Sequence, residues 1–262
     1  MKRPTKGLMR WGLSRADMMS WRLRQHGTFS RVKTVFAVVL FALSVGCDVS
    51  HGDVCVDVGE PLRAPVLPSL PLAMRYQPLA VGARWTYNAS NSVETTQEII
   101  TVGAIEAFDP LQPDWLAFRL VNRRAYGASQ VVWWEDRGDQ IVRHRERAID
   151  GNGDAYGDER FLPGRLLVDD VSKHTTLGAA WKHHFSDVIT DGGGTFSDCK
   201  SDAFAIEAID ETVTVPAGTF SALRVARTDS GTTTWYARGV GKIKHVGATT
   251  HDELVSYSFP AP

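Results

Sequence analysis

From Tyr76 onward, apolar and polar residues alternate along most of the chain. Leu116, Phe118 and Leu120 alternate with Ala117, Arg119 and Val121; Trp181, His183 and Phe185 with Lys182, His184 and Ser186; Val255, Tyr257 and Phe259 with Leu254, Ser256 and Ser258. A period of two gives each strand one core face and one solvent face. Turn signals separate the runs: Arg137-Gly138-Asp139, the cluster Asp150–Asp158, Asp191-Gly192-Gly193-Gly194, Pro216-Ala217-Gly218, Asp229-Ser230-Gly231 and Arg238-Gly239-Val240-Gly241. No stretch of ten or more residues repeats with a helical period after the N-terminal region. The pattern predicts an all-β domain over residues 76–262, a large curved antiparallel sheet that is either barrel-like (closed or half-closed) or folded as a sandwich.

Two details refine this. The pair Trp133-Trp134 must send one ring to each face of its strand, so one of them covers a further core layer, lines a ligand cavity or forms a partner surface. The segments Val81-Gly82-Ala83-Arg84-Trp85 and Leu177-Gly178-Ala179-Ala180-Trp181 share an apolar-Gly-Ala-x-Trp pattern. Each leads into a strand, which suggests a sheet built in two parts.

The N-terminal region reads differently. Residues 1–34 carry nine Lys or Arg against one acid, Asp17, and an uncharged run, Thr34–Cys47, follows. Its strictly apolar part, Val35–Leu43, falls well short of the roughly 20 residues needed to span a bilayer. This order of basic, apolar and small residues is that of a secretory signal peptide. Ser44-Val45-Gly46-Cys47 resembles the lipobox of bacterial lipoproteins, with Leu43 one place further from the cysteine than is usual. The resemblance implies cleavage after residue 46 and lipidation of Cys47. A Pro-rich linker with Pro61, Pro65, Pro68 and Pro71 then occupies the rest of residues 47–75, and both it and the signal are expected to be disordered.

Cleavage changes the charge balance. Lys plus Arg falls from 29 to 20 and Asp plus Glu from 30 to 29, leaving a net charge of −9. A chain this acidic is a poor partner for nucleic acid. With Cys47 lipidated, Cys55 and Cys199 remain as an even pair, either a disulfide or two free thiols.

The candidate chemistry is sparse. Asp150, Asn152 and Asp154 alternate as in calcium loops, Tyr156 offers a carbonyl and Asp158 stands at the ninth position. Ala155 replaces the usual glycine of such loops, and Phe161 the usual bidentate glutamate. His183 and His184 project to opposite faces of a strand and cannot easily share a metal ion. No nucleophile elbow, zinc-protease motif or phosphate-binding loop is present, and the chain does not read as an enzyme.

"YQPLAVGARWTY" (76–87), "VTVPAGTFSALRVAR" (213–227), "TTTWYARGVGKIKHV" (232–246) and "ELVSYSF" (253–259) resemble a family of Gram-negative cell-envelope lipoproteins, some called TapB-like after a pilus-associated relative. In that family the Trp-Tyr-Ala motif is usually followed by proline, where this chain has Arg238. The resemblance brings no catalytic residues. The expectation is a lipid-anchored envelope protein in the inner or outer membrane, its domain in the periplasm or at the cell surface, acting as a non-catalytic assembly or scaffolding factor for an envelope partner. The rival readings are a carrier of a lipid or other hydrophobic ligand and a calcium-stabilised adhesion module. No cofactor besides that Ca²⁺ is expected.

Overall fold

The computed structural model describes residues 61–63, 71–124 and 129–261. Cys47, Cys55, the signal region and most of the linker lie outside the described residues. Twelve strands follow one another: β1 (Arg84–Ser90), β2 (Thr95–Asp109), β3 (Gln112–Arg124), β4 (Ser129–Asp136), β5 (Gln140–Ile149), β6 (Ala155–Asp169), β7 (Ala180–Asp191), β8 (Gly194–Val215), β9 (Gly218–Arg227), β10 (Thr232–Ala237), β11 (Gly241–Val246) and β12 (His251–Ser258). Each pairs antiparallel with the next, and β1 pairs with β12 to close a barrel. Of the architectures the alternation allowed, the closed barrel is the one formed. Closure gives every strand a neighbour on both sides, though the β6–β7 ladder is short.

The two-part echo is real in three dimensions. Gly82, at φ +92°, donates its amide to Val102 O, and Gly178, at φ +80°, donates to Ile206 O. The carbonyls of Ala83 and Ala179 then accept from the amides of Val102 and Ile206 in the same way. A glycine at positive φ is what this entry turn requires. Because β1 and β7 are six strands apart, β1–β6 and β7–β12 form equivalent halves, each preceded by a short 3₁₀ turn, Leu72–Met74 or Ser172–His174.

Trp85, Tyr87, Leu120, Ile243 and Leu254 are among the fully buried side chains of the main core. The end of the barrel where β1 begins is stoppered by the lead-in segment. Arg75, completely buried, reaches Asp136, Asp170 and Gly138 O, and its carbonyl accepts from Gly239 N. Tyr76 and Leu79 join the core behind it. The segment therefore ties the β4–β5 turn to the β10–β11 turn. A Cβ on Gly239 would lie 2.9 Å from Ala73 O and one on Gly241 3.0 Å from Gln77, so glycine is needed at both for this approach. Arg238 lies over the Tyr76 ring at 4.0 Å and donates to Met74 O. Arg238 thus fastens the stopper.

Three expectations change. Arg75, placed in the linker, belongs to the folded body. Along β12 Leu254, opposite Tyr87, is buried and Tyr257, opposite Trp85, is 41% exposed; an extra residue, Val255, stands between these pairs as a bulge and breaks the alternation. The Asp150–Asp158 cluster is only partly a turn, since β6 begins at Ala155 and carries Tyr156 and Asp158.

Candidate functional site

Away from the stopper, the barrel interior becomes charged. Inward positions on neighbouring strands carry complementary groups, which a low-dielectric interior demands. Glu98 on β2 accepts from Asn122 on β3 at 2.5 Å, and Asp202 on β8 accepts from Arg227 on β9 at 2.5 Å and Arg165 on β6 at 2.7 Å. Arg143 on β5 bonds Glu146 at 2.6 Å, and Lys242 bonds Asp252 at 2.7 Å. Glu159 and Asp187, on β6 and β7, share a hydrogen bond. Burial, reinforced by Asp187, pushes Glu159 up to about 7 against the opposing pull of Arg143, so this pair retains a proton close to neutrality. Burial first, then the positive charge of Lys242, pushes His245 down to about 4 and keeps its ring neutral.

Within this network lies a cavity of about 160 Å³. Arg143, Arg165 and Arg227 line it together with Thr232, Thr234, Tyr236 and His245, and Leu166, Leu167, Phe204 and Val225 form its apolar wall. His245 Nδ1 lies 2.9 Å from Thr234 Oγ1. Burial raises Tyr236 to about 12, so its hydroxyl stays protonated. No carboxylate lines the cavity among the described residues. Sequence reading did not single out these groups, because they come from six strands and share no motif.

The residues that were singled out stand elsewhere. Trp134 turns inward and packs against the main core, while Trp133 turns outward into a second cluster with Phe108, Ala117 and Val131. Trp133 is 6% exposed, donates to Glu106 at 3.0 Å and lies under Arg145. The pair does occupy two faces, but neither ring forms a partner surface: the outer one is covered by the folded-over tip of the β2–β3 hairpin, whose Phe108 O accepts from Arg145.

In the proposed calcium loop, Asp150 Oδ1 accepts from the amides of Asn152 and Asp154, both at 2.9 Å, which favours its ionised form. Asp158 is instead held by the Arg145 guanidinium. The five candidate ligands Asp150, Asn152, Asp154, Tyr156 and Asp158 are therefore not gathered round one point, and no group of three or more acidic, His or Cys side chains is arranged for a metal among the described residues. His183 is buried, with Nε2 3.0 Å from Gly164 O, and His184 faces solvent. Cys199 is disulfide-bonded. Cys55, its expected partner, and Cys47 lie outside the described residues.

No family model matches the chain, and no match was found among curated proteins. A crystal structure of a Bacteroides fragilis protein, described as exported and as having a YmcC-like fold, aligns over 70% of this chain and 98% of its own at 12% identity, with a TM-score of 0.35. A likeness that slight carries neither structure nor function from one chain to the other.

Proposed function

We propose that this chain is a lipid-anchored protein of the bacterial cell envelope, held at Cys47, whose barrel acts without catalysis as an assembly or scaffolding factor. The observation that carries this reading is an interior occupied by the protein's own side chains. A cavity of about 160 Å³ is smaller than the roughly 300–1,000 Å³ of pockets that enclose drug-sized ligands, and leaves no room for an acyl chain. Carriage of a lipid is accordingly the weaker alternative, and function falls to the outer surface and the rims.

That outer surface favours water. Arg84, Asn88, Gln97, Lys182, His184 and Thr214 are exposed and flank buried neighbours along their strands, where a membrane-spanning barrel presents an apolar band. Around the stoppered end, Met74, Val81 and Leu177 are 50%, 51% and 62% exposed, and the two entry turns present Val81 and Leu177 in equivalent positions. These are the side chains we assign to partner contact.

The test is to express the full chain in a Gram-negative host, purify the Cys47→Ser variant from the periplasm without detergent and analyse its solvent extract by mass spectrometry. The reading expects release of that variant from the membrane fraction, no lipid near one-to-one occupancy, and cross-links to an envelope protein from photoreactive residues at 81 and 177. Stoichiometric lipid would reinstate the carrier, and an unchanged membrane fraction would remove the anchor.

A further inference from the structure

We propose that the cavity bordered by β5, β6 and β8–β11 binds a small amphipathic carboxylate, its acid group among Arg143, Arg165 and Arg227 and its apolar body against Leu167, Phe204 and Val225. This goes beyond the scaffolding role and does not depend on it.

Size comes first. A cavity of about 150 Å³ accommodates benzene in a protein core, so one of 160 Å³ takes a body of about that size. Chemistry then divides the wall. One side offers three guanidiniums, two hydroxyls of Thr232 and Thr234 and the Tyr236 phenol; the other is aliphatic and aromatic. The carboxylates that pair with the arginines, Asp202, Asp229 and Glu146, hold them from positions outside the lining, so the cavity wall carries the guanidiniums and no carboxylate among the described residues. Arg143 Nε is buried without a hydrogen-bond partner, a donor that a carboxylate oxygen would satisfy. The Glu159/Asp187 pair and neutral His245 complete the titratable surroundings, with Lys242 and Asp252 neutralising one another beyond His245.

Access is provided by the barrel wall. The β6–β7 ladder runs only from Asp158 to Leu162 against Ser186 to Thr190. Below it, Arg165–Asp169 of β6 pairs with β5 alone and Ala180–Phe185 of β7 with β8 alone. Side chains fill this seam in place of a ladder, among them Trp181, whose Nε1 is buried and unpartnered. Leu166, Leu167, Phe204, Val225 and Tyr236 line both the cavity and a void of about 10 Å³ bordered by Trp181, so side chains alone, with no ladder between them, separate the seam from the arginines. The equivalent seam between β12 and β1 is laddered from Arg84 to Ser90 and offers no such route.

Benzoate is the probe and benzyl alcohol its uncharged counterpart, titrated into the full mature chain by calorimetry and ligand-observed NMR. We expect saturable one-to-one binding of benzoate, at least about tenfold weaker binding of benzyl alcohol, and a loss of about tenfold or more in Arg143→Gln. Thr232→Phe, which fills the cavity from the rim without removing a charge, abolishes binding and decides the matter if Arg143→Gln does not fold. Absence of saturation, equal affinity for the alcohol, or unchanged affinity in Thr232→Phe would each overturn the proposal.

Discussion

The two halves of the barrel follow one plan and differ in how they close. In the first half, Arg119 lies opposite Trp133 and ion-pairs with Glu106, which accepts from the Trp133 indole. In the second half, Arg224 lies opposite Trp235 and ion-pairs with Glu211, which accepts from the Trp235 indole at 3.1 Å. Ala117 and Ala222 sit buried beside these tryptophans, and a bulge interrupts the ladder at Trp133/Trp134 and at Trp235/Tyr236. The closures diverge. Nine residues separate the first 3₁₀ turn from β1, and they drive Arg75 and Tyr76 into the barrel end. Only five precede β7, and there His174 stacks on Trp181 at 4.2 Å. One half supplies the stopper and the other keeps a seam closed by side chains without a ladder, so a duplicated plan yields one laddered junction and one unladdered one.

Removing the stopper's charge should break this asymmetry most strongly. Arg75→Met strips the guanidinium from Asp136 and Asp170, both 2% exposed at the side chain, and should cost about 4 kcal/mol in urea denaturation. A cost near zero would mean that the lead-in segment rests on the barrel without sealing it. The two entry tryptophans give the next contrast. Trp85 is 1% exposed and donates to Val240 O at 2.5 Å, so Trp85→Phe leaves a buried acceptor and a void, at about 3 kcal/mol. Trp181 has no indole partner to lose, and Trp181→Phe should stay within about 1 kcal/mol of the parent.

The sequence made the strands legible because their alternation is local, and made the duplication legible only at Val81–Trp85 and Leu177–Trp181, where the turn needs glycine and the core needs tryptophan within five residues. The Glu106–Arg119–Trp133 and Glu211–Arg224–Trp235 sets were not legible, since each is spread over three strands and only register brings it together. The same holds for the cavity. Trp133-Trp134 was correctly assigned to two faces, but burial of the outer ring depends on a hairpin tip folding over from β2 and β3, which no local pattern encodes. The acidic run from Asp150 resembled a calcium loop because Asx turns and calcium loops draw on the same residues. Pairing of Asp158 with Arg145 comes from the adjacent strand.

The charged interior of the first half offers a titration that separates the halves. Glu159 holds its proton to about 7 when folded, against 4.5 when unfolded. The folded state therefore binds more protons in that window: this stabilisation is complete below about 4.5 and is lost as pH rises to about 7. His245, in the second half, acts in the opposite sense, charging near 4 when folded and 6.5 when unfolded, so stability is lost as pH falls through that range. The two effects oppose one another between 4.5 and 6.5. Glu159→Gln removes the first and should raise stability by about 2 kcal/mol at pH 8 while leaving it nearly unchanged at pH 4.5. An equal gain at both values would assign the effect to packing.

The smallest expected effect tests whether the duplication is energetic as well as geometric. Trp133 and Trp235 each donate to a glutamate on the strand two places away, at 3.0 and 3.1 Å, and each lies beneath a cation, Arg145 at 5.3 Å or Lys244 at 5.9 Å. The glutamates are partly exposed, so loss of the indole donor leaves no fully buried carboxylate behind. Trp133→Phe and Trp235→Phe should each cost about 1 kcal/mol. The two sites share no partner, so the double variant should lose the sum. A cost above about 2 kcal/mol at Trp133 with none at Trp235 would show that the first half depends on its outer cluster in a way the second does not. The buried Glu135–His144 contact at 2.6 Å, which has Ile243 as its counterpart, would then be the place to look.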